Sequence, residues 1–190
     1  MSIDFAAQRA AMVEGQVRTA DVTDYAIQDA MRAVAREALL PADTAYLAYA
    51  DVEVAYAPGR WLLKPRDVAK LLQALKPHAG ERALAIAAPY AAAVLEAMGL
   101  AVTRLDEGDL TKPAGEYDLV VCEGAVSEVP EAWTAVLSAA GGRLGAVVRQ
   151  GPVGRAVLYL HTAHDVGSRD VFDCGPPIMA GFEPKRAFAF

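Results

Sequence analysis

Arg82-Ala83-Leu84-Ala85-Ile86-Ala87-Ala88-Pro89-Tyr90-Ala91-Ala92-Ala93-Val94-Leu95 has the layout of a buried strand, a tight turn and a helix. That layout opens an α/β domain in which the turn faces a nucleotide-like ligand. Such a turn calls for glycines, which enter positive φ freely and let the backbone come close to the ligand. Here the turn is Ala87-Ala88-Pro89. Each alanine methyl penalises the left-handed region by roughly 1–2 kcal/mol. Pro89 lacks an N–H that could face an anion, and it pushes Ala88 toward extended geometry. The scaffold of a nucleotide-like site is legible; its usual grip is not.

Downstream of this unit, strands and helices alternate. The strand spans Arg82–Ala88, and a helix over Tyr90–Met98 is stopped by Gly99. Strands follow at Ala101–Leu105 and Asp118–Cys122, the second an unbroken apolar run suited to a parallel strand buried on both faces. A helix over Glu131–Ala139 ends at Gly141-Gly142 and leads into a strand over Arg143–Arg149. Only a short Gly/Pro turn separates it from the next strand, Ala156–Leu160. A parallel pair needs a crossover of about a dozen residues, so this pair is expected to be antiparallel. Val171–Phe172 and Ala187–Phe190 are weaker strand candidates.

Upstream the chain reads as helical. Ser2 can cap a helix through about Thr19. Asp21 or Thr23 can cap a second, in which Ile27, Ala30, Met31 and Val34 follow the i, i+3, i+4, i+7 rule. Pro41 closes that segment, Ala42–Tyr49 suggests a short helix, and Asp51–Tyr56 alternates like a strand. Pro65 then introduces a helix with Val68, Leu71, Leu72 and Leu75 on one stripe. The expected architecture is α/β: a mainly parallel sheet with an antiparallel C-terminal hairpin, preceded by N-terminal helices. Residues 1–64 form the helical and loop segment packed on a core of residues 65–190, within one globule.

Composition narrows the function classes. The chain has 190 residues, 54% hydrophobic and 22% charged, with a formal charge of −6. This describes a folded globule and argues against a general nucleic-acid binder. No apolar run reaches the ~18 residues of a membrane span, and Met1-Ser2-Ile3-Asp4-Phe5 carries no signal pattern. Two cysteines, Cys122 and Cys174, are too few for a disulfide framework. The expected location is the cytoplasm.

The whole chain resembles the protein-L-isoaspartate O-methyltransferases, which have a Rossmann-like class I methyltransferase fold and use S-adenosylmethionine. Met12-Val13-Glu14-Gly15-Gln16-Val17 resembles the family's N-terminal helix, and Asp24, Ala30, Met31, Val34 and Arg36 fall where its next helix has a similar pattern. Ala48-Tyr49-Ala50-Asp51 resembles its A-Y-x-D segment. Tyr117-Asp118-Leu119-Val120-Val121, Pro130 and Gly141-Gly142-Arg143-Leu144 resemble its later motifs. The resemblance implies an activity: methyl transfer to isoaspartyl carboxylates of damaged proteins.

The departures from that pattern fall on the chemistry. The family's first strand ends in an acidic residue followed by G-x-G-S-G-Y. The acid holds the cofactor's ammonium, and the glycines admit its methionine end. Here the acidic position is Ala85, the glycines are replaced by Ala87-Ala88-Pro89, and the loop is two residues shorter before Tyr90. The family's G-x-G-Q-T-I-S-Q-P, whose serine handles the substrate carboxylate, corresponds to Ala57–Pro65, with Leu63 at the serine. Leucine offers no hydrogen bond. No catalytic residue is therefore assigned.

Asp106 lies 19 residues beyond Ala87, about the distance at which a carboxylate binds ribose hydroxyls in such folds. A solvated acidic turn through Glu107 and Asp109 is the competing reading. Ala87, Tyr90 and Cys122 are the other candidate crevice-lining residues. Cys122 can equally pack as a small hydrophobe, and Trp61 and Tyr90 can either fill the crevice or belong to ordinary core. Asp51 is expected to be structural. Arg60, Lys64 and Arg66 form a basic cluster that is either a solvated edge or a contact for an acidic partner. His161, His164, Asp165 and Cys174 lack a zinc-like spacing, so no metal is assigned.

Three functions remain open from sequence, the third being a methyltransferase that has rebuilt its cofactor site around Asp106 and acts on another substrate. The favoured one is a family member that has lost S-adenosylmethionine binding and serves as a non-catalytic binding or regulatory module. The alternative is an active isoaspartyl methyltransferase. Either way the expected partner is a protein or peptide, not nucleic acid or a membrane.

Overall fold

Local capping sets the N-terminal helices, at positions one to three residues from those expected. The computed structural model describes residues 3–163 and 165–184. Ser2 lies outside the described residues; Asp4 caps α1 (Phe5–Met12), accepting from the Ala7 N–H at 3.0 Å. The helical path continues through a wide turn over Val13–Val17 and a tight one over Arg18–Ala20. α2 (Tyr25–Ala33) is capped by Asp24, not by Asp21 or Thr23: its carboxylate accepts from the N–H groups of Ala26 and Ile27. Asp21 instead takes φ +62 at the end of the preceding turn. Ile27, Ala30 and Met31 are buried as the spacing predicts, whereas Val34 has already left the helix for extended geometry.

Ala42–Tyr49 yields only one tight helical turn, Ala45–Leu47. The alternating stretch becomes β1 (Val54–Ala57), which pairs antiparallel with β2 (Arg60–Leu62), a strand the sequence pattern did not reveal. Gly59 makes their turn at φ +68, and a Cβ there would meet Ala180 Cβ at 2.4 Å. α3 (Pro65–Leu75) buries Val68, Leu71, Leu72 and Leu75, as its stripe indicates.

The main sheet contains β3 (Arg82–Ile86), β4 (Ala101–Leu105), β5 (Leu119–Val126), β6 (Arg143–Arg149), β7 (Gly154–His161) and β8 (Val166–Cys174), in the order β4-β3-β5-β6-β7-β8. The first four strands are parallel, and β7 and β8 add antiparallel. α4 (Pro89–Ala97) links β3 to β4; α5 (Glu131–Ala135) precedes β6. This is the α/β architecture expected: a mainly parallel sheet with an antiparallel end and N-terminal helices.

Several boundaries differ for physical reasons. β3 stops at Ile86, two residues early, because Ala87 turns to positive φ. β5 runs four residues past Cys122, crossing an irregularity in its register with β6 between Val121 and Ala125. α5 ends at Ala135 because Val136 and Ser138 give their backbone groups to Tyr117. β8 spans nine residues, where only Val171–Phe172 was legible. Its Ser168, Arg169 and Asp170 are exposed on the edge strand and hide the alternation. Ala187–Phe190 lies outside the described residues.

Two apolar clusters make the core. The larger joins the N-terminal helices to α3, α4 and the sheet through Met12, Met31, Leu72, Tyr90 and Leu95. The smaller, around Trp133, Val120, Leu144 and Met179, includes Ala87 and Cys122. Among the described residues no helix is long and apolar enough to cross a membrane.

Candidate functional site

The chain leaves β3 for β4 on one side and later returns to place β5 on the other, so a switch point lies at the carboxyl ends of β3 and β5. Open α/β sheets bind ligands there. Three candidate residues lie along this point in the backbone, since Ile86, which precedes Ala87, pairs with Cys122 and Tyr90 opens α4 just beyond, but their side chains divide: Ala87 and Cys122 pack in the smaller apolar cluster and Tyr90 in the larger. Ala87, Tyr90 and Cys122 are all fully buried.

Ala87 adopts φ +45 despite its methyl, at a cost of roughly 1–2 kcal/mol. Its N–H is held by the Leu105 carbonyl at 3.0 Å. Ala88 is the residue that stays extended, at φ −131, as the following proline demands. Pro89 occupies the first helical position, where a missing N–H costs nothing. The next two N–H groups, on Tyr90 and Ala91, are therefore the ones that face an acceptor.

That acceptor is Glu123, a residue sequence reasoning missed. Its Oε2 accepts from Tyr90 N–H at 3.0 Å and Ala91 N–H at 3.1 Å, and its Oε1 accepts from Leu63 N–H at 3.2 Å. Arg36 Nη1 lies 3.7 Å from Oε1, with both side chains out of solvent. The Arg36 guanidinium also donates to the Ala48 carbonyl at 2.8 Å and to the Leu63 carbonyl, and its carbon sits 4.4 Å above the Tyr90 ring centre. Leu63, at the family's serine position, is thus held at both backbone groups by this pair. The sequence signal is weak, because the apolar run ends at Cys122; only the folded strand, buried at all eight positions, shows that this carboxylate has to find cationic or N–H partners.

Burial pushes the Glu123 carboxyl up to about 7, opposed by Arg36 and by the three backbone N–H groups. Burial draws the Arg36 guanidinium down, against the pull of Glu123. The Tyr90 phenol is raised by burial, and the Cys122 thiol is raised by burial and by Glu123. Arg36 Nη1 and the Tyr90 and Tyr56 hydroxyls have no hydrogen-bond partner among the described residues. Tyr56, on β1, is a second residue missed from sequence. Burial, with the nearby charges of Glu123 and Asp106, raises its phenol.

The remaining candidates are dispersed. Asp106 sits just past β4 on the exposed side; burial raises its carboxyl, while Arg104 and the Ala88 N–H draw it down. Trp61 is half-buried on β2, so the ring sealed behind the turn is that of Tyr90. Asp51 pairs with Arg66 at 3.0 Å, Lys64 approaches Glu53 at 3.8 Å, and Arg60 donates to the carbonyls of Gly59 and Ala180 at 3.0 Å. The basic cluster is therefore split among separate partners. His161 pairs with Val166 and Cys174 with Gly154, at opposite ends of the β7–β8 hairpin. His164 lies outside the described residues. A polar cleft of about 460 Å³, away from the switch point, opens between Gln16, Asp51, Arg66 and Lys70.

The switch point is also roofed. Ala180 N–H donates to the Gly59 carbonyl at 3.2 Å, tying the β1–β2 turn to the segment after β8. Met179 presses on Gly124, where a Cβ would come within 2.5 Å of it. In this conformation the residues present do not fit S-adenosylmethionine. The crevice side chains Ala87, Tyr90 and Cys122 are packed out of solvent, and the Glu123 carboxylate already takes the free N–H groups at the start of α4.

No family model matches the chain. It is 35% identical to the protein-L-isoaspartate O-methyltransferase of Methylorubrum populi, over 92% of this chain and 96% of that one. It is 32% identical to the protein of the same description from Methylorubrum extorquens, over 94% and 91%. Among solved structures, a protein-L-isoaspartate O-methyltransferase superposes with a TM-score of 0.74 at 18% identity, over 92% of this chain and 67% of that one. A Plasmodium falciparum β-aspartate methyltransferase, solved with S-adenosyl-L-homocysteine, superposes with a TM-score of 0.69 at 15% identity, over 90% and 97%. Sheet order, switch point and near full-length likeness agree: the chain belongs to the protein-L-isoaspartate O-methyltransferase family.

Proposed function

We propose that the chain carries the reaction for which its relatives are named, methyl transfer from S-adenosylmethionine to isoaspartyl carboxylates in damaged proteins. The observation that carries this reading is 35% identity to one such protein across nearly the whole of both chains. The geometry adds support at Ala87. A left-handed alanine persists only where its surroundings over-determine it, and such strain clusters at ligand sites. In this reading Ala87, Tyr90 and Cys122 line the cofactor crevice and Asp106 holds ribose hydroxyls. Cofactor entry in this reading requires the crevice to open, since these side chains are packed out of solvent. The substrate is a protein or peptide.

A second reading, a non-catalytic binding or regulatory module, is favoured by one specific observation: Glu123 and Arg36 seal the turn while Leu63 replaces the serine. Likeness to the named methyltransferases supports the enzymatic reading better. Calorimetric titration with S-adenosylmethionine and S-adenosylhomocysteine, followed by labelled-methyl transfer to an isoaspartyl peptide, separates the two. Binding with transfer is expected. Binding without transfer would point to a different acceptor, and no binding of either nucleoside would leave the non-catalytic module.

A further inference from the structure

We infer that this chain is not an acceptor for the reaction its relatives are named for: it lacks the residue pairs from which isoaspartate forms readily, so the protein neither labels itself nor competes with its clients. The chemistry of its own chain is independent of what the crevice binds; the consequence for acceptor choice rests on the proposed function.

Isoaspartate arises when the backbone nitrogen of the following residue attacks the side-chain carbonyl carbon of Asn or Asp. A five-membered imide closes with loss of ammonia from Asn or water from Asp. Water then opens it at the backbone carbonyl, and the chain is left running through the side chain. The attack is fastest at Asn, the more thermolabile residue. It is fastest of all ahead of glycine, whose backbone turns freely and whose nitrogen is unhindered. These 190 residues contain no Asn, and no Asp is followed by Gly or Ser. The smallest residue after an Asp is Ala30, and Asp29-Ala30 lies inside α2, where the backbone is fixed. Where a carboxylate or amide does precede glycine, at Glu14, Glu107, Glu123 and Gln150, the side chain is one methylene longer and could close only a six-membered ring. The fold supplies the places where Asn is ordinarily used. Left-handed positions other than glycine favour Asn; here they hold Asp21, Lys76 and Ala87. The helix caps that Asn serves as well as Asp are Asp4 and Asp24, each accepting from the backbone N–H groups of its helix. The exposed turns after β4 and β6 carry Glu107-Gly108 and Gln150-Gly151.

The test ages the full chain and its Gln150→Asn variant for several weeks at physiological temperature and neutral pH. Isoaspartate is then counted by methylation with an independent isoaspartyl methyltransferase and labelled S-adenosylmethionine, and located by peptide mapping. The unaltered chain is expected to hold at least tenfold less than the variant, whose label should map to the exposed turn between β6 and β7. If that variant does not fold, Glu107→Asn sets the same pair on the turn after β4. Equal isoaspartate in the unaltered chain and its variants would overturn the inference. Equally high values would mean that the aspartates suffice, and equally low ones that the fold protects rather than the choice of residues. A last arm gives the aged proteins labelled S-adenosylmethionine with no helper enzyme. Label on the unaltered chain would again overturn the inference, whereas label on the variant alone supports it together with the proposed function. Isoaspartate in the variant that this chain leaves unmethylated, with isoaspartyl peptide left unmethylated as well, would take down the proposed function and leave the inference standing.

Discussion

α3 and α4 begin alike and are finished differently. Each has proline at its first position and no side-chain cap of its own. At α3 the N–H groups of Asp67 and Val68 find the Lys64 carbonyl, and Arg66 and Asp51 pair nearby on a half-exposed surface. At α4 the first turn is sealed, and its N–H groups are met by a carboxylate 32 and 33 residues away in sequence. Buried backbone donors have to be paired, while exposed ones can turn to water. The same local signal therefore has two outcomes, and burial decides between them.

The largest expected effect tests whether that imported carboxylate matters as the contrast implies. Glu123→Ala orphans three buried N–H groups and leaves Arg36 without its counter-ion. A loss of about 3–5 kcal/mol of unfolding free energy is expected in denaturant titration. A loss below about 1 kcal/mol would erase the difference between the two helices.

The next effect is a pH dependence. The folded-state pKa of Glu123, about 7, lies above its ordinary value of 4.5, so the folded protein binds this proton more readily than the unfolded chain. Its contribution to stability is therefore fully present below about 4.5 and is lost as pH rises through about 7. The stability difference between the unaltered protein and Glu123→Gln, followed across this window, should fall by on the order of 2–3 kcal/mol. A flat difference would mean the carboxylate is held as an anion as easily as in water.

Smaller effects sharpen the contrast. α2 is capped locally, so Asp24→Ala should cost about 1 kcal/mol in thermal or denaturant unfolding, well short of the loss at Glu123. Ala87→Gly should stabilise by less than about 1 kcal/mol, because relief of the left-handed strain exceeds the added chain entropy of glycine only slightly. A destabilising glycine would show that the Ala87 methyl contributes packing worth more than its strain.

Much of the fold was legible. The bounds of β4 and β6 match those expected, β6 from its apolar run, and α3 starts where Pro65 indicates, while the short turn at Gln150–Gly154 required β7 to be antiparallel. β2 escaped because three residues are too few for a period. Glu123 escaped because a carboxylate after an apolar run reads locally as the end of a strand. Ala87 and Ala88 were both legible as a poor turn. Which of them takes the strain depends on Pro89 for one and on the Leu105 carbonyl for the other.

Periodicity, proline placement and connector length thus establish the order, type and direction of the elements, because each is a property of a dozen neighbouring residues. Folding alone decided that Glu123 meets Arg36, Leu63 and the start of α4, contacts made across 32 to 87 positions of chain. The reason is physical: a buried donor accepts whichever acceptor the packing delivers, and nothing in the flanking residues says which that will be.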